Sequence, residues 1–207
     1  MNLSFVLASA SPRRREVCRS LGIRFRTVQH RFHEPSVDNR EFRPGRYVET
    51  VARGKALSVA SLYPDAVVIA ADTIVVARGC IIGKPRDPAD ARRILGMLSG
   101  SVHRVYTGMC LVWEWFGVRA CSHEVSVVHA RPLSAREIDA LAHKHLDKAG
   151  AYAVQERQDR FVTRINGDYY NVVGFPVGLF LELLGRIAAD ALHRTGGPGR
   201  AAGSFPK

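Results

Sequence analysis

Short apolar runs alternate along the chain with longer stretches whose apolar positions recur at helical spacing. Residues 3–8 read as a buried strand. A helix follows at once, with Ser11 able to cap it, Pro12 at its first position and Gly22 at its end. Residues 23–29 read as a second strand, and the polar, turn-rich residues 30–43 as a loop. Tyr47, Val51, Ala52, Lys55, Val59 and Leu62 share one helical face over 46–62. The continuous apolar run 66–71 suits a strand covered on both faces, ending at Asp72-Thr73. Residues 74–77 and 80–83 flank Arg78-Gly79 as a tight hairpin. Asp87 and Pro88 start a helix to Leu98, and Gly100 stops it. Two long strands, 102–114 and 118–130, join near Gly117. Ser134 and Glu137 form a capping box for a helix to His145. Residues 161–165 form a strand before an Asn166-Gly167 turn, and Pro176 opens a last helix to Leu192.

This order mixes βα units with a long antiparallel hairpin. It predicts a single α/β domain over 1–192, with a mixed, twisted sheet flanked by helices and two lobes around a cleft. The Gly-rich residues 193–207 are expected to be a disordered tail.

Composition narrows the function. The chain has 207 residues and a formal net charge of +11, concentrated in residues 1–60, where twelve basic side chains face five acidic ones. A basic excess invites a nucleic-acid or anionic-ligand reading. No helix-turn-helix, zinc-finger or RNA-recognition signature accompanies it, so nucleic-acid binding is not expected. No apolar run approaches the ~20 residues that span a bilayer, and the N-terminus is not a signal peptide, so no membrane association is expected. Cys18, Cys80, Cys110 and Cys121 show no C-x-x-C spacing, which favours free thiols in a reducing cytoplasm.

Four segments carry candidate chemistry. In Ser9-Ala10-Ser11-Pro12-Arg13-Arg14-Arg15, a helix start with two hydroxyls and adjacent guanidiniums suits phosphate; the bland alternative is an N-cap with a solvated basic face. Asp72-Thr73 closes a buried strand, where a carboxylate can hold a divalent metal or take a proton from water; a turn Asp is the alternative. Lys84 in Gly83-Lys84-Pro85 offers a point charge to phosphate, or is a surface lysine in a turn. In Asp147–Gln155, small residues permit close approach, and Gln155 could read a base edge. Glu34 and Lys55 add a carboxylate and an ammonium. The eight His residues, His143 and His145 included, show no metal spacing.

Taken together these segments resemble the Maf family of nucleotide pyrophosphatases. The matching stretches are LASASPRR at 7–14, ADTIVV at 71–76, IIGKPRD at 81–87, ILGMLSGSVHRVYTG at 94–108, DKAGAYAVQ at 147–155 and INGDYYNVVGFP at 165–176. The resemblance implies a Maf/inosine triphosphatase-like fold, a homodimer and a reaction dependent on Mg²⁺ or Mn²⁺. A nucleoside triphosphate and water would give the monophosphate and pyrophosphate. It further implies that Asp72 is the proton acceptor or metal-linked carboxylate and Glu34 a second acidic group at the metal. Lys55 and Lys84 would hold the triphosphate, and Ser9, Ser11, Arg13 and Arg14 would line the phosphate end. Arg13, Thr73 and Gln155 match the branch acting on dTTP and UTP, rather than the 7-methyl-GTP branch with Trp, Gln and Glu there. Two positions depart from that pattern: Glu156 stands where Gly is frequent, and Phe175 where Leu is usual. The competing reading is a non-enzymatic basic nucleic-acid-binding protein acting in septum formation.

Overall fold

The computed structural model describes residues 3–35, 43–144, 146, 149–152 and 161–195. The chain runs β1 (Phe5–Leu7), α1 (Pro12–Ser20), β2 (Phe25–Thr27), α2 (Pro44–Ala60), β3 (Val67–Ala77), β4 (Cys80–Ile82), α3 (Pro88–Leu98), β5 (Val102–Trp113), β6 (Val118–Ala130), α4 (Ala135–Ala142), β7 (Val162–Asn166), α5 (Tyr169–Val173) and α6 (Val177–Thr195). The strands form one mixed sheet in the order β2-β1-β3-β5-β6-β7, with β4 also paired to β3. β1 pairs in parallel with β2 and β3, and all other pairings are antiparallel. The expected α/β domain with a mixed sheet is borne out.

Side chains alternate across a strand, and this sorts the core. One face of the sheet presents Val6, Val68, Ala70, Cys110 and Val112 to α2. The opposite face carries two separate cores. At one end Leu7, Ile69, Ala71, Met109 and Leu111 pack against α1 and α6. At the other Val75, Ala77, Val105 and Val128 pack against α3 and α4. Thr73 and Thr107 occupy the positions between them, with their hydroxyls 3.0 Å apart. This polar seam is the physical form of the two-lobed reading.

Several expectations change. Asp72 and Thr73 do not end a strand; they lie in the middle of β3, because β5 continues to pair with that strand through Asp72↔Gly108 and Thr73↔Thr107. Ser11 takes the N-cap position of α1, but its side chain makes no capping bond. Its own N–H instead donates to Ser9 Oγ at 3.2 Å. The helix after the capping box stops at Ala142, and the last helix continues to Thr195, so 193–195 are not tail. Residues 196–207 lie outside the described residues. Helix α5 was not expected; Asp168 Oδ1 accepts from the Tyr170 N–H at 2.7 Å and starts it. The expectation of four free thiols fails at one pair. The β5–β6 register sets Cys110 opposite Cys121, with Cα atoms 4.1 Å apart, and the two are disulfide-bonded. Cys18 and Cys80 are free. Phe175 is fully buried against Phe180, so this departure from the family pattern serves the α6 core.

Candidate active site

Helix α1 leaves β1 on one face of the sheet, and α2 approaches β3 on the other. The chain therefore diverges at the carboxyl end of β1, the usual place for a ligand crevice in an open α/β sheet. Pairing shows why there is room. On one edge of β3, β1 covers Val67–Ile69 and β4 covers Val75–Ala77, leaving the intervening residues without a strand partner on that edge among the described residues. Asp72 and Thr73 thus point to opposite faces yet border one opening, a cavity of about 640 Å³. Ser9, Ser11, Arg13, Arg14, Glu34, Lys55, Asp72, Thr73 and Lys84 all line it. Gln155 and its neighbour Glu156 lie outside the described residues.

Lys55 is the centre of the α2 side. Its buried Nζ lies 2.7 Å from Asp72 Oδ1 and 2.6 Å from Glu34 Oε1. Burial alone would raise the Glu34 carboxyl; the Lys55 ammonium outweighs this and holds it below the ordinary carboxylate value. The helical periodicity that makes Lys55 part of the apolar face of α2 is what aims it inward, among Ala52, Ala56 and Val59.

Arg14 is the centre of the opposite side. Its Nε donates to Gly174 O at 2.9 Å, Nη1 to Ser9 Oγ at 3.1 Å and Nη2 to Thr73 Oγ1 at 3.1 Å. These bonds fix the guanidinium beside the cavity. The network continues from Thr107 to Asn171 O at 2.9 Å and from Asn171 Nδ2 to Ser126 Oγ at 2.9 Å. Gly174 has φ +103, and a Cβ there would lie 3.1 Å from Thr73 Oγ1, so glycine both permits the turn and lets Arg14 and Thr73 approach. The helix start contributes a positive dipole end on this side.

Three lining residues were not singled out as candidates in the sequence, although Val105 and Tyr152 fall inside the matching stretches. His30, from the polar loop, borders Glu34 and Lys55. Its Nδ1 is buried without a partner among the described residues. Burial and then the Lys55 ammonium hold this imidazole below its ordinary pKa, so it is neutral at pH 7. Val105 and Tyr152 close the far wall. Tyr152 stands inside the matching stretch 147–155, but its partner could be found only in three dimensions: its hydroxyl lies 2.8 Å from His103 Nε2.

His103 gives the first expected result. Burial, with a smaller contribution from His129, lowers its pKa to about 4 from an ordinary 6.5. Between those values the unfolded chain binds a proton at this site and the folded chain does not. Stability is therefore present above pH 6.5 and lost as pH falls toward 4, by about 3 kcal/mol in total. Urea titrations at a series of pH values should show this slope, and His103→Gln should flatten it.

The donor set also bears on a metal. Asp72 and Glu34 supply two converging carboxylates. No group of three or more His, Cys, Asp or Glu side chains is arranged for a metal among the described residues. Two carboxylates fit Mg²⁺ or Mn²⁺, hard cations that complete their shell with water and substrate phosphates, and lack the imidazole or thiolate ligands of a zinc or copper site.

Comparison with known proteins follows this geometry. The sequence model of the family described as "Maf-like protein" matches residues 4–187. A protein of Moorella thermoacetica named dTTP/UTP pyrophosphatase is 44% identical over 191 residues, covering 91% of this chain and 97% of its own. A protein of the same name from Koribacter versatilis is 42% identical over 188 residues, covering 90% and 95%. The solved structure of a nucleoside-triphosphatase, dITP/XTP pyrophosphatase, from Mycobacterium abscessus aligns with TM-score 0.43 and 13% identity, covering 92% of this chain and 98% of its own.

Proposed function

The chain belongs to the Maf family, and from that premise we propose that it hydrolyses dTTP and UTP to the monophosphate and pyrophosphate. The observation that carries the reading is the buried Lys55 bridging Asp72 and Glu34, in the cavity that also holds Arg13, Arg14 and Lys84. A triphosphate of roughly −4 charge needs neutralisation and in-line positioning more than covalent help. Arg13, the helix start and Lys84 bind its phosphates. Lys55, 2.7 Å from Asp72 Oδ1, orients that carboxylate. Asp72 Oδ takes a proton from water as the water oxygen bonds the α-phosphorus. The bond from the α-phosphorus to the bridging oxygen breaks, and that oxygen leaves with pyrophosphate. Asp72 and Glu34 would hold Mg²⁺ or Mn²⁺, which when bound neutralises charge on the phosphate oxygens. Arg13, Thr73 and Gln155 support the pyrimidine preference, since a Gln amide both donates to and accepts from the imide edge of thymine or uracil. The substrate class suits a cytoplasmic protein, and a homodimer belongs to the same proposal, to be read by light scattering.

Incubation with dTTP and Mg²⁺ or Mn²⁺ should release pyrophosphate and dTMP in equal amounts. In ¹⁸O-water the label should enter dTMP. Orthophosphate with dTDP would overturn attack at the α-phosphorus, and faster turnover of 7-methyl-GTP than of dTTP or UTP would overturn the base preference.

A further inference from the structure

Lys84 lines the same cavity as Lys55 but is held differently. Lys84 is exposed at the end of β4, and a lysine on a flexible four-carbon stem is placed only as well as its backbone is placed. The backbone there is tied to a neighbouring turn: the Gly150 N–H donates to Gly83 O at 3.2 Å. Gly150 in turn has φ +80, and a Cβ on it would sit 2.9 Å from Tyr152 Cε1 and 3.5 Å from Leu98. The Tyr152 ring therefore packs directly against the turn that holds Gly83. That ring is buried and edge-on to Phe161, with centroids 5.3 Å apart. Its hydroxyl ends on His103 Nε2 at 2.8 Å, and the His103 ring is buried in β5 with a centroid distance of 5.4 Å to the Tyr152 ring.

A continuous chain of contacts thus runs from the central sheet to a phosphate-facing lysine: His103, Tyr152, Gly150, Gly83, Lys84. We propose that the His103–Tyr152 pair is a positioning strut for Lys84, fixing its backbone against the sheet so that its ammonium meets the phosphates of the substrate. The inference rests on the phosphate role of Lys84 given above. Tyr152 acts through Lys84, without itself taking part in bond making. Tyr152 belongs both to the core that contains Ile94, Leu95, Leu98 and Val128 and to the cavity lining, so it joins the two.

The test is a double-mutant cycle on kcat/KM for dTTP. Tyr152→Phe removes one hydroxyl and leaves the ring on Gly150. It should lower kcat/KM about tenfold and weaken inhibition by inorganic pyrophosphate by a similar factor, since misplacement of a contact by an ångström costs up to about 10²-fold. In a Lys84→Ala background the same change should cost less than about twofold, because the group it positions is gone. His103→Leu, which leaves the Tyr152 hydroxyl without its partner at the other end of the strut, should repeat the pattern. An equal loss in both backgrounds would mean that the hydroxyl supports the fold alone, and no loss beside an intact Lys84 would mean that the strut does not exist; either overturns the proposal. If Lys84→Ala alone leaves both kcat/KM and pyrophosphate inhibition unchanged, the phosphate role of Lys84 fails first, a result separable from the other two.

Discussion

Asp72→Asn is expected to lower kcat for pyrophosphate release by about 10³-fold, within the range that positioned general acid–base catalysis supplies. The substitution keeps the packing and most of the contacts of the site. Asn has the shape of Asp, and its carbonyl oxygen can still accept from Lys55 Nζ, which stands 2.7 Å from Asp72 Oδ1. Glu34 remains 2.6 Å from the same nitrogen, so the ammonium is not left without a counter-charge. The pairing of β3 with β5 at Asp72↔Gly108 involves backbone alone and is untouched. What disappears is a basic oxygen at the open edge of β3. Saturating dTTP separates this from binding: kcat should fall while the melting temperature shifts by only a few degrees. A variant retaining more than a tenth of wild-type turnover would remove Asp72 from the proton-accepting role.

The same residue shows how far the sequence could be read. The run from Ala66 to Ala71 followed by Asp72-Thr73 has the form of a strand that ends on a polar pair. Hydropathy marks where burial stops, and here it stops for a different reason. Neither β1 nor β4 covers the edge of β3 at this point, so a cavity borders the middle of a continuous strand. That vacancy depends on where two other strands end, which no local pattern encodes. Arg13, Arg14, Lys55 and Lys84 were legible as cationic candidates because their neighbours are restricted or periodic: Pro12, the helical face of α2, and Gly83 with Pro85. The structure adds their convergence on one cavity, which gathers part of the basic excess in one place.

Other features were hidden for equally physical reasons. Cys110 and Cys121 are eleven positions apart with no motif between them, and only the register of the β5–β6 hairpin brings them together. His30 is an ordinary histidine in a polar loop until that loop folds over Lys55. Ser11 was expected to cap α1, but Ser9 Oγ accepts its N–H and binds Arg14, so the loop is ordered from the preceding serine. Helix α5 has five residues, too short for periodicity to reveal, and its start is set by the Asp168 side chain.

Lys55→Met should produce the largest loss of stability among single changes at the site. The side chain is 7% exposed and lies among Ala52, Ala56 and Val59, so a methionine of similar length fits the apolar face of α2. The cost comes from what it abandons. Glu34 is half-exposed and can turn toward water, whereas Asp72 is 8% exposed and anchored in the central strand. Removing one partner of a buried ion pair leaves an uncompensated charge and typically costs about 3–5 kcal/mol. For a chain of this length that corresponds to a fall in Tm of about 10 °C. The double variant Lys55→Met, Asp72→Asn tests the cause. If the loss comes from a stranded carboxylate, neutralising Asp72 must restore much of it, so the double variant melts above the single one although both are inactive. If the loss came from packing around residue 55, the second substitution would leave Tm unchanged or lower it further. Calorimetric melts of the wild type, both single variants and the double variant at pH 7 decide between the two, and the outcome bears on catalysis as well: a carboxylate stranded by the loss of Lys55 is one that Lys55 pairs and orients at the open edge of β3.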